Sequence, residues 1–389
     1  MAACNIRKLY GFSFLKMFLL PMAIITLYWQ DRVGLSLTDI MVLQGIFSLA
    51  TLLFEYPSGY ISDRIGYRRA LLIASGIGVC GWAVYTVADT FALVMVAEIL
   101  LGAAFAFISG SDTALLFESL RWTGREEDYA RHDGRMASWA QTGEACGALF
   151  AGAVYALSPT LPFLIQVGIW TLAFAVALTL WEPPVKSEHH HPNHLRAAGE
   201  IIRYALHDNR ALRASLLLTT LFGLASFYPV WLIQPYLREA GTPLIWFGPI
   251  WAGANLTVAL FSFLSQRVHF SLGDSKLALL CGGLSVAGYL TLGFYGGIFC
   301  FLGYYLLTAM RGLQGPFLRH HLQRHSSRHN RASILSLKSL IFRLGFVATG
   351  PLVGVGADRY GTATAFLLIG GCLTPLLLIQ LRDFRRQLR

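Results

Sequence analysis

Apolar runs of about 20 residues, parted by short polar breaks, repeat along the whole chain. Wound as an α-helix, such a run matches the ~30 Å hydrocarbon core of a bilayer. Twelve runs are therefore predicted to be membrane-spanning helices, at about 10–29, 38–61, 70–88, 91–117, 136–157, 161–181, 212–236, 243–265, 277–294, 297–318, 332–355 and 362–381. Arg7 and Lys8 precede the first run, as in a signal peptide. The run from Tyr10 to Trp29 is longer than a signal core and no small-residue cleavage site follows, so a retained span is expected. The longest break, 182–211, opens on Pro183-Pro184 and holds His189-His190-His191. It continues as a short amphipathic helix with Leu195, Ile201, Ile202 and Leu206 among charged residues. The expected organisation is a six-helix bundle over 1–181, a cytoplasmic linker over 182–211 and a second six-helix bundle over 212–389.

Composition agrees with this pattern. Of 389 residues, 55% are hydrophobic and only 13% charged, against about 25% charged in a soluble domain. The net charge of +10 would suggest nucleic acid in a soluble protein, but its placement argues otherwise. The N-terminus, the even-numbered breaks and the C-terminal tail, with Arg213 at the edge of the seventh run, together hold 24 Lys and Arg, and the odd-numbered breaks hold 3, namely Arg32, Arg238 and Arg359. Positive residues resist translocation, so the richer side is the expected cytoplasmic side, with both termini on it. The six cysteines show no C-x-x-C pair and read as small packing residues. The histidine triplet has no carboxylate or cysteine companions and reads as solvated linker, so no metal site is expected.

The break after the second run reads Gly59-Tyr60-Ile61-Ser62-Asp63-Arg64-Ile65-Gly66-Tyr67-Arg68-Arg69. It resembles the G-x-x-x-D-R-x-G-R-R signature of the major facilitator superfamily, with Tyr67 as the one departure. Gly59 would let helices approach closely, Gly66 would permit a tight turn, and Asp63 and Arg64 would cap helix ends or form ion pairs, with Arg68 and Arg69 holding the loop inside. Glu55-Tyr56-Pro57-Ser58-Gly59 is similar to a run that ends the second helix in the drug-exporter-like branch. Ser109 to Leu116, with Asp112, looks like the end of that branch's fourth helix. Arg331 to Leu337, Gly350 to Gly354 and Asp358-Arg359-Tyr360-Gly361 resemble its eleventh helix and exit. Glu98 stands four residues before Gly102, where the family often carries an arginine, and the fifth run keeps Gly143, Gly147 and Gly152 without the branch's proline.

Ionisable residues at membrane depth are costly and usually face a cavity or a partner. Lys16, Glu55, Glu98, Asp112 and Glu144 lie in the first half, and Arg311, Lys338 and Arg343 in the second. Proton coupling needs a buried carboxylate, which makes Glu98 and Glu144 the candidates. Arg311, Arg343, Lys338 and Lys16 are candidate cavity cations. Asp112 and Glu55, nearer the signature loop, read as parts of a structural latch. Tyr228, Trp231 and Gln234 on the seventh run, and Asn255 on the eighth, are candidate cavity residues for stacking and hydrogen bonding.

The resemblance implies an all-α membrane protein with two six-helix halves around a central cavity, working by alternating access. The expected function is secondary active transport of a small organic solute, by proton-coupled efflux. One alternative is uptake of an anionic solute of carboxylate or phosphate type, and a second is a non-transporting membrane sensor. No H-E-x-x-H or G-x-S-x-G string occurs, so no catalytic residue, cofactor or enzyme activity is expected. The expected partners are the lipid bilayer, a small-molecule substrate and protons, with no nucleic acid. The expected setting is a monomer in the bacterial inner membrane.

Overall fold

The computed structural model describes residues 2–184, 194–326 and 330–388, and all regular structure among them is helical. The histidine triplet lies outside the described residues. The helices are α1 (Ala2–Met17), α2 (Ile25–Tyr28), α3 (Leu37–Ile65), α4 (Tyr67–Val87), α5 (Phe91–Ile108), α6 (Ser111–Arg121), α7 (Tyr129–Leu149), α8 (Ala151–Leu157) and α9 (Leu161–Leu178). They continue as α10 (His194–Arg203), α11 (Arg210–Glu239), α12 (Phe247–Phe294), α13 (Phe301–Arg324), α14 (Arg331–Tyr360) and α15 (Thr362–Gln387).

Among the described residues eight helices are long and apolar enough to cross a bilayer, or nine if the bent pair Cys4–Ala23 and Ile25–Val33 is one span. The difference from twelve apolar runs has physical causes. Two of the runs fall in one segment, Leu244–Phe294, of 51 residues. Its helix of 48 residues would reach about 72 Å at 1.5 Å per residue, more than twice a hydrocarbon core. Gly273, at φ 70° and ψ 170°, breaks the helical path between the two runs. The helix α7 carries His132, Asp133, Arg135 and Glu144, and α13 carries Arg311 and a basic last turn, so neither is apolar enough on composition alone.

The chain divides into two compact units. The first gathers residues up to Leu35, those from Val42 through α9, and Pro243–Ala252. Within it α4 packs on α5 and α9, and α1 packs on α7 and α9. A ring cluster fills its interior, with Tyr85 5.2 Å from Phe163 and 5.5 Å from Trp82, and Tyr28 4.3 Å from Phe163. The Tyr28 hydroxyl donates to the carbonyls of Tyr85 and Ala88 at 2.9 and 3.1 Å, so this polar tip is satisfied inside an apolar core. Close helix crossings depend on missing side chains. A Cβ on Gly78 would lie 2.0 Å from the Trp170 ring, which is fully buried.

The second unit gathers Ser36–Met41, α10 and α11 as far as Thr242, and the chain from Gly253 on. Its centre is α11, which packs on α13, α14 and α15. The linker helix α10 is amphipathic: Ile201, with Tyr204 and Leu206 beyond its end, packs on a cluster of Ala205, Leu212, Leu216, Leu322, Ile334 and Leu337. The Asp358 carboxylate, at the end of α14, accepts from the backbone nitrogens of Leu37 and Thr38, both at 2.9 Å, and so caps the start of α3.

Candidate functional site

Glu98 sits inside the first unit, 4% exposed, where α3, α4 and α5 meet. Gly102, one turn further along α5, lets that helix approach α3: a Cβ there would lie 3.0 Å from Ala50 Cβ and 3.1 Å from the Phe47 carbonyl oxygen. This approach brings Gln44 Nε2 to 3.1 Å from Glu98 Oε2. The Tyr85 hydroxyl, from α4, donates to the other carboxylate oxygen. Both partners are neutral donors, and among the described residues no cation pairs with Glu98.

Asp112 is neutralised differently. Gly110, at φ +86°, breaks the path between α5 and α6, and Asp112 follows in the first turn of α6. There its carboxylate forms an ion pair with Lys16 of α1, with the two side chains 6% and 14% exposed. Lys16, expected as a cavity cation, is therefore engaged in an internal ion pair. Glu144 is half-buried on α7, one residue after Gly143, where a Cβ would lie 2.2 Å from the Phe14 carbonyl oxygen.

In the signature loop, Asp63 accepts from the Tyr67 hydroxyl at 3.2 Å, and the Arg64 guanidinium lies 4.3 Å from the centre of the Tyr60 ring. The anion at the start of α4 is Glu182, which accepts from the backbone nitrogens of Tyr67 and Arg68 at 3.0 and 2.5 Å. Gly66 adopts φ +96°, and a Cβ there would meet the Glu182 carboxylate at 3.0 Å, so glycine is needed both for the turn and for this contact. Arg68 donates to the Leu178 carbonyl at 2.8 Å. Gly59 has open space around its Cβ position, and Arg69 is exposed on α4.

A pocket of about 270 Å³, open on one side, lies between α11, α13 and α14 of the second unit. Arg311 and Lys338 line it, and so does Gln314, three residues after Arg311 and on the same helix face. Arg343 lies just beyond it, its Nε 3.4 Å from the Ser339 hydroxyl. The other second-half candidates do not line this cavity. Tyr228 is buried and shares a hydrogen bond with the Thr349 hydroxyl at 2.6 Å. Trp231 is buried edge-on to Phe227 at 6.0 Å, Gln234 is 1% exposed, and Asn255 is half-buried on α12. Among the described residues no group of three or more His, Cys, Asp or Glu is arranged to hold a metal ion.

Membrane-length helices with polar groups buried inside both units are the architecture of a multi-pass membrane transporter. The chain belongs to the Major Facilitator Superfamily, whose model matches residues 9–337. It is 23% identical over 357 residues to YxaM, an MFS-type transporter of Bacillus subtilis (strain 168), covering 87% of this chain and 86% of that one. It is 25% identical over 364 residues to an MFS-type transporter of Burkholderia pseudomallei (strain 1106a), covering 90% of this chain and 84% of that one. Among solved structures it resembles the nucleoside transporter NupG, with a TM-score of 0.83 at 14% identity over 98% of this chain and 99% of that one. It also resembles a POT family transporter in complex with 5-aminolevulinic acid, with a TM-score of 0.80 at 12% identity over 98% of this chain and 96% of that one. These likenesses establish the fold. The protein is a membrane transporter of small molecules and not an enzyme.

Proposed function

We propose that this protein exports a small organic solute in exchange for protons, with Glu98 as the proton-carrying group. The observation that carries this reading is the contrast between two buried carboxylates of the first unit. Asp112 is balanced by Lys16, whereas among the described residues Glu98 is held only by the neutral donors Gln44 and Tyr85. An ionised carboxylate buried without a cation is costly, and a proton is the counter-charge that removes the cost. Glu144, on α7, is the second candidate for the same role.

Twelve spans in two six-helix halves, with both termini cytoplasmic, are part of this proposal. Gly273 would mark the turn between the eighth and ninth spans. The transport cycle would be one of alternating access. Uptake of an anionic solute is the competing reading, since Arg311 and Lys338 are equally available to it. The test is solute flux in proteoliposomes as a function of an imposed pH gradient. The expected outcome is export that speeds up with proton entry. Flux indifferent to the gradient contradicts the coupling.

A further inference from the structure

Among the described residues, the cavity in the second unit is lined by two cations and no carboxylate. Arg311 is exposed to it and Lys338 is half-buried beside it. Among the described residues neither forms an ion pair. Two like charges gathered mid-helix without a counter-charge are unfavourable unless an anion joins them. The rest of the polar lining is already engaged. Thr219 and Thr220 donate to the carbonyls of Ser215 and Leu216 at 2.7 and 2.9 Å, and Ser226 donates to the Gly223 carbonyl at 3.0 Å.

Gln314 is the exception. It is 8% exposed, lines the cavity, and its Oε1 has no hydrogen-bond partner among the described residues. A buried amide oxygen left in this state has lost its water without compensation, so it calls for a donor from a ligand. The apolar wall is aromatic. Phe227 and Phe342 are both half-buried and meet edge to face at 5.3 Å. Room for this pair comes from Gly223, whose Cβ would lie 3.0 Å from Phe342 Cδ2. Ligand pockets usually run to about 300–1,000 Å³, so at about 270 Å³ this one suits a single ring with a small charged substituent.

We infer that the cavity binds a small aromatic organic anion. Its carboxylate or phosphate-type group faces Arg311 and Lys338, its ring lies against Phe227 and Phe342, and a ring hydroxyl or amine donates to Gln314 Oε1. Arg311 offers a planar fork and Lys338 a point charge, a combination that accepts either anionic group. This inference rests on the transport reading for its role in the cell, but the binding itself does not require transport.

The test is equilibrium binding to the purified full-length protein in detergent. The probes are 4-hydroxybenzoate, 4-hydroxyphenyl phosphate and the neutral isostere 4-hydroxybenzamide. At least one of the two anions is expected to bind saturably, and the anion preferred identifies the headgroup chemistry. Arg311→Gln and Lys338→Gln are expected to raise its Kd about tenfold or more, while Lys338→Arg stays close to the parent and reports on folding. Gln314→Leu is expected to weaken 4-hydroxybenzoate more than benzoate. Failure of both anions to bind, equal binding of the amide, or unchanged affinity in monodisperse Arg311→Gln and Lys338→Gln proteins would overturn the inference. Flux of a neutral or cationic solute that depends on Glu98, without anion binding, sinks the cavity assignment and leaves transport standing. Anion binding with no flux of any solute does the reverse.

Discussion

At the scale of single residues, the interior charges of the first unit follow two different logics. Lys16 and Asp112 neutralise each other, so removing one partner strands the other in a dry interior. Lys16→Met alone and Asp112→Asn alone are each expected to lower stability by about 3–5 kcal/mol. The double variant is expected to recover most of that loss, as measured by thermal unfolding in detergent. Additive losses would contradict an internal pair. Glu98 was legible in the sequence as an acid inside an apolar run, but its partners were not. Gln44 and Tyr85 lie on two other helices, and no periodicity within one helix tells which faces of three helices meet. Gln314 carried a usable signal, since it is polar and three residues after Arg311 on a common face. The pairing of Lys16 with Asp112 is hidden in the sequence because the two lie 96 positions apart.

At the scale of elements, two helix starts are capped by carboxylates from distant parts of the chain. Asp358 caps α3 and Glu182 caps α4. Glu182 stands beside a proline pair and reads in sequence as the start of a linker, so its role in the signature loop was hidden. Glu182→Ala is expected to destabilise the protein by about 0.5–2 kcal/mol, with Glu182→Gln losing less because the amide oxygen still accepts. A thermal melt that does not shift in Glu182→Ala would contradict the cap. Element boundaries were legible at α4 and α9, close to the expected runs 70–88 and 161–181, whereas the expected run 91–117 is broken at Gly110 into α5 and α6. They were blurred where polar residues lie within a helix, as in α7, and where a single glycine turns the chain, as at Gly273 in α12. Apolarity alone marks a possible span, and a helix that carries charge into an interior scores poorly by it.

At the scale of the whole molecule, the charge of the solute bears on direction. With the cell interior negative, each charge moved is worth about 2.3 kcal/mol per 100 mV. Export of an organic anion in exchange for an entering proton is driven by that potential twice over in each cycle. Uptake of the same anion together with one proton moves no net charge and takes nothing from it. Under the export proposal, the cycle would draw on both the pH gradient and the potential. The family and its helical fold were already legible in the Gly59–Arg69 loop and the run of apolar segments. What the sequence left open was which buried charges have internal partners, and the answer divides Asp112 from Glu98.

The most direct test follows proton movement in proteoliposomes loaded with a pH-sensitive dye, on imposing an outward gradient of a transported solute. Wild-type protein is predicted to drive protons inward as the solute leaves. Glu98→Gln is predicted to lose that proton signal while still exchanging labelled for unlabelled solute. Solute-driven proton entry that persists undiminished in Glu98→Gln would contradict the central claim.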